Sequence, residues 1–440
     1  MNILILSASH PYKTAGVVAF DLYKRLKAIE GVEVKMVVQV WDRYPDSDIK
    51  SMDTILSHYT KKVLKKVSGL LKKAHIIKSG RILKARNACN PDYSVQDYDQ
   101  TITYYKTHKI LQKAGFVPDK IIVLFMTYFL SYKNLHELNI ATKAPIYLYM
   151  MDMALFTAGC HYAWDCLGFI KQCGNCPAMN SKTEKDQSSM NWLFKKRYID
   201  KTDLIAISGS EWQYQQLKSC SLYRNIAKYH VLIDLNENTY SPADKLYAKE
   251  QLNLPTDKKI ILIGAVSLSN RRKGGSELIQ ILNLVIQKLN QDEKDKIHVL
   301  IAGRTNSDFE SQILLNRTSL GYLSQDRLVK AFQAADVFLS PSIEDSGPMM
   351  VNQSMLCGTP VVSFEMGIAM DLVVNDMTGY RVNLRDIEGF AKAIIRIIHF
   401  KGKDYNTMTN NCRVMTLESM KRQNIVNLVL NKSEFTNREE

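Results

Sequence analysis

Residues 336–364 read DVFLSPSIEDSGPMMVNQSMLCGTPVVSF. The apolar run at 336–340 predicts a buried strand, the spacing over 349–357 predicts a helix, and 360–364 predicts a second strand. Strand, loop, helix and strand in this order form the βαβ unit of a parallel sheet that is covered by helices. This stretch therefore indicates an α/β fold.

The same alternation continues on both sides of this stretch. Further strands are predicted at 2–7, 33–40, 120–126, 145–150, 203–207, 259–264 and 297–302. Further helices are predicted at 17–29, 275–290, 325–335 and 386–399. The polar stretch 219–257 carries Pro242 and Pro255 and is predicted to be a linker. We therefore expect two consecutive doubly wound domains, with ligands bound in a deep site between them.

The expected domain boundaries follow from this alternation. The first domain is predicted over 1–220 and includes a basic helix at 54–91 and a cysteine-rich insertion at 151–180. The second is predicted over 221–412. The remainder, 413–440, is expected to form a C-terminal helix and tail that crosses back to the first domain.

Charge is distributed unevenly along the chain. The 440 residues are 46% hydrophobic and 23% charged, which excludes a wholly disordered or fibrous chain, and the formal net charge is +14. Ten positive charges and no acidic residue lie between Thr54 and Pro91. Helical spacing of apolar residues there fits a helix on an anionic membrane surface or a solvated helix packed on the first domain. Nucleic acid is not expected as a partner, because stacking aromatic residues are nearly absent from this stretch.

The first residues, MNILILSASHP, are too short an apolar run for a signal peptide. No apolar run approaches the roughly 20 residues of a membrane span. We therefore expect a cytoplasmic protein that is peripheral on the inner face of the membrane.

The loop after Ser340 predicts a phosphate site. It leads into the N-terminus of a helix, where unpaired backbone N–H groups and the helix dipole favour an anion. Gly347 allows a ligand to approach the backbone closely. Asp345 precedes the helix and Gln353 lies about one turn inside it, so both can reach one ligand from its two ends.

The motif PS-x-x-[acid]-x-G-x(5)-[E/Q]-x-x-x-C-G-T-P-V-V resembles the donor-site signature of the family 4 glycosyltransferases. That family has the GT-B fold, two Rossmann-like doubly wound parallel-sheet domains with the active site in the cleft between them. Segments that resemble the family in order and spacing lie at 13–26, 264–279, 320–342 and 364–382. The resemblance extends over nearly the whole chain and is strongest in its C-terminal half.

The resemblance implies a set of site residues. Donor binding is assigned to Gly16, Arg272, Lys273, Tyr322, Leu323, Ser346, Gly347, Met349, Met350 and Gln353. Within this set Lys273 lies on phosphate oxygens, and the backbone near Tyr322 holds the base. Asp345 is assigned to the donor sugar, and Asp152 and His161 are catalytic candidates near the reacting sugar. No cofactor is required for catalysis, because the cations and the helix N-terminus stabilise the leaving diphosphate.

Gln353, Ala265 and Met151 are three of the positions that depart from the family pattern. Gln353 stands where the family usually has its second glutamate, and an amide accepts a hydrogen bond from a ribose without carrying a charge. Ala265 stands where an arginine is expected after the strand glycine. Met151 stands where a histidine often precedes the aspartate, here Asp152.

Four cysteines, Cys160, Cys166, Cys173 and Cys176, follow the pattern C-x5-C-x6-C-x2-C. The segment 151–177 resembles an insertion in some capsule and exopolysaccharide members of the family. Three interpretations stay open: a structural zinc site, reduced cysteines that pack a loop, and disulfides. A separate pair, Asp46 and Asp48, matches the DxD of a different glycosyltransferase fold and is predicted to be a solvated turn.

The resemblance implies a retaining glycosyltransferase that moves a sugar from a nucleotide diphosphate sugar to a saccharide. We expect a lipid-linked acceptor, at an anionic membrane surface, in capsule, exopolysaccharide or other surface glycan synthesis. One alternative is another GT-B enzyme, such as a nucleotide-sugar epimerase or a phosphorylase. The other is a non-enzymatic protein that binds zinc or nucleic acid.

Overall fold

The computed structural model describes residues 1–13, 16–54, 89–95 and 97–431. The basic helix predicted at 54–91 falls almost entirely outside the described residues. No helix that the structure describes combines the length and the apolar character needed to cross a bilayer.

The chain divides into two compact units. The first consists of Met1–Ser208, Tyr214–His230 and a C-terminal segment that begins at Ile425. The second consists of Gly209–Gln213 and Val231–Asn424.

The first unit is built on a parallel sheet in the order β3-β2-β1-β4-β5-β6-β7. Its strands are β1 (Asn2–Ser7), β2 (Glu33–Val38), β3 (Ile49–Ser51), β4 (Lys120–Leu124), β5 (Ile146–Met150), β6 (Leu204–Ser208) and β7 (Ala227–His230). The side chains of Ile3, Leu4, Ile5 and Leu6 are fully buried, as expected for a central parallel strand with both faces covered.

The second unit is built on a parallel sheet in the order β10-β9-β8-β11-β12-β13. Its strands are β8 (Lys259–Ser267), β9 (Ile297–Arg304), β10 (Arg317–Ser319), β11 (Val337–Ser340), β12 (Val361–Phe364) and β13 (Gly379–Val382). In β8, Ile260, Ile261, Leu262 and Ile263 are fully buried.

Helices alternate with the strands in both units. Those in the described residues are α1 (Gly16–Lys27), α2 (Thr107–Ala114), α3 (Tyr132–Thr142), α4 (Gln187–Ile199), α5 (Glu211–Ser219), α6 (Lys245–Gln251), α7 (Gly275–Lys288), α8 (Gln291–Asp295), α9 (Ser307–Ser311), α10 (Gln325–Ala334), α11 (Met350–Leu356), α12 (Ala369–Leu372), α13 (Ile387–His399), α14 (Gly402–Arg422) and α15 (Ile425–Leu430). Short 3-10 turns cover Met153–Leu155, Gly168–Ile170, Pro177–Met179, Ser221–Tyr223 and Arg271–Lys273.

Both sheets reverse their strand order at one internal point. In the first sheet the reversal lies between β1 and β4, and in the second it lies between β8 and β11. This is the strand order of doubly wound nucleotide-binding folds, in which ligands bind beyond the carboxyl ends of the strands at the reversal. In the second unit these ends are Ser267 and Ser340, so the loops after them are where a ligand is expected.

The structure contains the strands and helices that were predicted in the described residues. The linker prediction, in contrast, is wrong in part. The predicted linker 219–257 contains β7, which pairs in parallel with β6 from Ile205↔Ala227 to Ser208↔His230, and it also contains α6. The strand β7 reads AKYH and is largely solvent-accessible, so it lacks the apolar run that marks a central strand.

The Asp46 and Asp48 turn is more ordered than a solvated turn. The ammonium of Lys27 lies 2.9 Å from a carboxylate oxygen of Asp46 and 2.7 Å from one of Asp48. The hydroxyl of Tyr23 donates to Asp46 at 2.6 Å. The two carboxylates therefore bind a side chain of α1.

Gly274 joins the two loops at the reversal of the second sheet. It has φ +68° and ends the 3-10 turn Arg271–Lys273. A Cβ atom at this position would lie 1.8 Å from the carbonyl oxygen of Pro341, in the loop after β11. The absence of a side chain therefore allows the two backbones to meet.

Replacing this glycine is expected to destabilise the second unit. Gly274→Ala adds left-handed backbone strain to a clash with Pro341, and we expect a loss of about 3 kcal/mol or more in the free energy of unfolding, measured by urea denaturation. Gly321→Ala is the matched control, because Gly321 has φ +63° and a Cβ there meets no atom within 4 Å. The control is expected to lose only about 1–2 kcal/mol. Equal losses in the two variants would contradict the proposed contact.

Candidate active site

The loops after β8 and β11 are joined through one carbonyl group. The carbonyl oxygen of Arg272 accepts hydrogen bonds from the backbone N–H groups of Ile343, at 2.9 Å, and Glu344, at 3.3 Å. The side chain of Asn270 accepts a hydrogen bond from the N–H of Arg272 and caps the 3-10 turn. Two segments about 70 residues apart in sequence are therefore held as one edge of the sheet.

A buried carboxylate lies between two cations at this edge. Asp345 is 3% exposed, and its Oδ2 contacts the guanidinium of Arg272 at 2.9 Å and the ammonium of Lys273. Burial alone would raise the pKa of Asp345, but the charges of Lys273 and Arg272 outweigh it and lower the pKa below its ordinary value. One anion and two cations leave one net positive charge, so the cluster can attract an anionic ligand.

The segment after Asp345 adds polar groups to the same edge. The backbone N–H of Gly347 donates to Oδ1 of Asp345 at 3.3 Å. The hydroxyl of Ser346 is buried and has no hydrogen-bond partner among the described residues. The helix α11 begins at Met350, and its N-cap residue, Met349, provides no side-chain cap. The Ser346 hydroxyl and the uncapped N-terminus of α11 can donate hydrogen bonds to a ligand's oxygen atoms.

Gln353 lies inside α11 and is buried against a tyrosine. Its Nε2 donates to the hydroxyl of Tyr240 at 3.0 Å. The carbonyl oxygen of Tyr240 in turn accepts a hydrogen bond from Arg413 at 2.9 Å. The amide that replaces the family's usual glutamate is thus positioned by a neutral partner.

The residues assigned to the base lie beyond β9 and β10. Gly303 donates its N–H to the carbonyl oxygen of Gly321 at 2.7 Å, which fixes the start of this loop. The Tyr322 side chain is 54% exposed, and the guanidinium carbon of Arg304 lies 5.7 Å from its ring centroid. Leu323 is partly exposed beside it. An exposed ring and a cation are available to a planar ligand at this point.

In the first unit, the catalytic candidates Asp152 and His161 lie in contact. Nδ1 of His161 is 2.7 Å from Oδ2 of Asp152. The other carboxylate oxygen of Asp152 accepts the N–H of Ala154 at 2.8 Å and caps the turn Met153–Leu155. The N–H of Met153 donates to the carbonyl oxygen of His161 at 3.0 Å, which closes the loop between them.

A buried lysine orders the loop that carries this pair. The Lys195 side chain is 1% exposed, and its Nζ donates to the carbonyl oxygens of Ala154 and Thr157, each at 2.7 Å. Burial lowers the pKa of Lys195 to about 8. The ammonium therefore takes the place of water for two carbonyl groups that the irregular loop leaves unpaired.

Gly16 lies at the start of α1, after the loop that follows β1. Its N–H donates to the carbonyl oxygen of Lys13 at 3.1 Å, and a Cβ there would lie 2.0 Å from the carbonyl oxygen of His10. His10 itself contacts Asp42, with Nε2 at 2.8 Å from Oδ2. The first unit thus carries a second His–Asp pair at the strand-order reversal of its sheet.

The four cysteines of the insertion line one cavity. Cys160, Cys166, Cys173 and Cys176 all face it, and each has a free thiol. Burial raises the pKa of the Cys160 thiol to about 12, and it also raises the pKa of Cys173 and Cys176. The structure therefore brings together the residues that the sequence assigned to one cluster.

The edge that holds the buried carboxylate lies within a part of the chain that matches a known family. Residues 257–399 match the family model described as Glycosyl transferases group 1. The D-inositol 3-phosphate glycosyltransferase 2 of Catenulispora acidiphila is 24% identical over 177 residues, which are 38% of this chain and 40% of that protein. The UDP-Gal:alpha-D-GlcNAc-diphosphoundecaprenol alpha-1,3-galactosyltransferase of Escherichia coli is 27% identical over 110 residues, 25% of this chain and 26% of that protein. The chain spans less than half the length of each of these relatives.

These matches support a group 1 glycosyltransferase. The sucrose-phosphate synthase of Thermosynechococcus elongatus has a similar structure, with a TM-score of 0.63 and 16% identity over 98% of this chain and 100% of that one. The two doubly wound sheets are therefore those of the GT-B fold.

The matched range includes the predicted site residues of the second unit and leaves out those of the first unit. Arg272, Lys273, Asp345 and Gln353 lie inside the matched range 257–399. The residues of the first unit, among them Gly16, Asp152, His161 and the four cysteines, lie outside it. The roles assigned to the residues of both units stay predictions.

Three side chains of the two candidate sites were missed in the sequence. His10 lies in the loop that follows β1, three residues after Ser7, so the rule that ligands bind beyond strand ends offered a signal for it. Lys195 lies in a helix with several basic residues, and nothing local distinguishes the one that is buried. Tyr240 pairs with Gln353 across more than 100 residues of sequence, so only the tertiary structure reveals it.

The ion cluster predicts how stability depends on pH. The pKa of Asp345 is lower in the folded state than its unfolded value of about 3.9, so its stabilisation is complete above about pH 5 and is lost as the pH falls through the folded value. Asp345→Asn should cost about 3–5 kcal/mol near pH 7, because it removes the counter-charge of two cations, and should flatten the acid dependence. Urea denaturation between about pH 7 and pH 3 measures both effects. The exposed Asp326→Asn is the control, and an acid profile of Asp345→Asn like that of the wild type would refute the assignment.

Proposed function

We propose that the protein is a retaining glycosyltransferase that uses a nucleotide diphosphate sugar as donor and a saccharide as acceptor. The observation that carries this proposal is the cluster of Arg272, Lys273 and Asp345 at the strand-order reversal of the second sheet. A buried cluster with net positive charge at this edge suits a diphosphate. The family match over 257–399 supports the same assignment.

The chemistry proposed for this edge is stabilisation of the leaving group. When the bond from the sugar to the diphosphate breaks, negative charge grows on the phosphate oxygens. Lys273 and Arg272, positioned by Asp345, stabilise that charge, and the backbone near Gly347 and Met349 donates hydrogen bonds to it. Because the cations are ordered before the ligand binds, little reorganisation is needed as the charge develops. In this scheme the chain supplies the positive charge itself.

The remaining donor contacts are proposed from the same unit. Gln353, fixed by Tyr240, offers its amide oxygen to a ribose hydroxyl. The backbone near Tyr322 and Leu323 holds the base, and Arg304 lies beside the Tyr322 ring. Ser346, whose hydroxyl has no partner in the described part of the chain, offers a hydrogen bond to the donor.

In the first unit we propose a role for the Asp152–His161 pair in positioning a sugar hydroxyl. The contact with Asp152 at 2.7 Å fixes the ring of His161 through Nδ1, so Nε2 is the nitrogen that meets the substrate. Asp152 acts through the ring that it orients. A fixed imidazole holds a hydroxyl in one geometry, which reduces the entropy cost of reaching the transition state.

The acceptor is proposed to be a lipid-linked saccharide in surface glycan synthesis, such as capsule or exopolysaccharide. The name of the Escherichia coli relative describes a lipid-linked diphosphate acceptor. The acid-free basic stretch between Thr54 and Pro91 suits the anionic membrane surface at which such acceptors lie. We therefore propose that the protein binds peripherally to the inner face of the membrane.

Donor binding is tested by removing one cation. Lys273→Ala should weaken the binding of the nucleotide diphosphate sugar selected in a thermal-shift panel about 10- to 100-fold in calorimetry, because a charge-assisted contact to phosphate is lost. Lys403→Ala, which removes an exposed lysine of α14, should leave the affinity unchanged. Circular dichroism establishes that both variants fold. Unchanged affinity in a folded Lys273→Ala protein would refute the diphosphate site.

The class of reaction is tested with a radiolabelled donor in the absence of acceptor. A transferase should release free sugar slowly, by transfer to water. An epimerised nucleotide sugar, or a sugar phosphate formed only when inorganic phosphate is present, would instead identify an epimerase or a phosphorylase. Failure to bind any nucleotide sugar in a thermal-shift panel would contradict both the transferase and the epimerase.

The role of the first unit is tested at His161. His161→Gln should lower kcat about 100-fold or more while the dissociation constant for the donor stays unchanged, because its proposed contact is made in the transition state. His399→Gln is the matched control, since His399 also contacts a carboxylate, that of Glu293, at 3.0 Å. If donor affinity fell in parallel with kcat, the proposal that His161 acts in the transition state and not in donor binding would be contradicted.

A further inference from the structure

We infer that Cys160, Cys166, Cys173 and Cys176 form a structural site for one zinc ion. The four residues lie within 17 positions of sequence and line a single cavity of the first unit. Four thiolates in tetrahedral geometry are a standard ligand set for structural zinc. The inference is independent of the proposed enzymatic function.

The chemistry of the cavity favours a thiophilic ion. Apart from the cysteines, the lining side chains are small or apolar, with the hydroxyls of Thr157 and Ser188 among them. No carboxylate or histidine lines the described cavity, which disfavours calcium or magnesium. Soft sulfur ligands without oxygen donors select zinc over the hard divalent cations.

Burial raises the pKa of the Cys173 and Cys176 thiols, and backbone N–H groups beside them act in the opposite direction. The N–H groups of Ala178 and Met179 hydrogen-bond to the sulfur of Cys176, and that of Ala158 hydrogen-bonds to the sulfur of Cys173. Donors of this kind lower the energy of a charged sulfur. Hydrogen bonds to the ligand atoms are the outer contacts that orient ligands at metal sites.

Gly168 lies beside two of the sulfurs. A Cβ atom at Gly168 would lie 3.5 Å from the sulfur of Cys166 and 3.8 Å from that of Cys173. No side chain fills this position, so the sulfurs can approach one another. No three of the four sulfurs, all of which are described, lie within 4.8 Å of one another. Binding at about 2.3 Å from each sulfur therefore turns the cysteine side chains inward and releases one proton per thiol.

The segment that carries the four cysteines has an irregular backbone, which a cross-link would stabilise. Between Met151 and Asp186 the regular structure consists of the three 3-10 turns. Irregular loops of more than about 15 residues are rarely ordered by their own contacts. A metal ion would supply at one site the cross-link that this long loop otherwise lacks.

The site would also fix the loop that carries His161. Cys160 precedes His161 directly, and the carbonyl oxygen of Cys160 accepts a hydrogen bond from the hydroxyl of Thr157 at 2.6 Å. The N–H of His161 donates to the carbonyl oxygen of Ser94 at 2.9 Å. Zinc bound to Cys160 would therefore restrict the backbone on one side of the histidine.

The first test measures metal in the full-length protein. The protein is expressed with zinc in the medium, purified without chelators or metal-affinity resin, and assayed by plasma mass spectrometry. We expect about one zinc per chain, in line with the tight binding of structural sites. The double variant Cys173→Ser/Cys176→Ser should lose it, and Cys357→Ala, which alters a buried cysteine of the second unit, should retain it. A metal-free wild type, or full zinc in the double variant, would overturn the inference.

The second test does not depend on the folding of a variant. Cobalt is exchanged into the wild-type protein, and a tetrahedral thiolate site should give strong visible bands and a sulfur-to-cobalt charge-transfer band. A weak octahedral spectrum would overturn the site. The site would also be overturned if mass spectrometry under non-reducing conditions found these cysteines paired as disulfides in freshly isolated protein. Either result leaves donor binding in the second unit untouched, so the two proposals fail separately.

Discussion

The buried contact of Asp345 with Lys273 and Arg272 is the interaction on which the second unit's site depends. It joins the loop after β8 to the loop after β11, and the backbone bonds from Ile343 and Glu344 to Arg272 run beside it. A carboxylate buried this deeply would be costly without cations, and the cations would lack order without the carboxylate. Each of the three side chains therefore requires the other two.

This constraint explains why the site lies where it does. The parallel sheet brings the carboxyl ends of β8 and β11 together at the strand-order reversal, and Gly274 allows the two following loops to touch. Positive charge is thereby fixed before any ligand arrives. In the first unit, a buried cation also orders a loop. The ammonium of Lys195 donates hydrogen bonds to two carbonyl groups of the loop that holds Asp152.

Much of the fold could be predicted because it is encoded locally. The apolar strands β1, β4, β8 and β11 are continuous runs, since parallel strands are buried on both faces, and their helices have clear spacing. The short edge strands β3, β7, β10 and β13 were missed, because a partly exposed edge strand needs no apolar run. The error in the linker prediction has the same cause.

The sequence by itself determined the fold class, the cation-rich loop at Arg272 and Lys273, the acidic residue that follows β11 and the grouping of the four cysteines. Only the tertiary structure decided that Asp345 pairs with both cations, that Gln353 is held by Tyr240, and that Asp152 and His161 meet. The reason is physical. Strand and helix formation depend on neighbours a few residues away, whereas a buried charge is stabilised by whichever partner the fold brings within about 3–4 Å, regardless of its position in the chain.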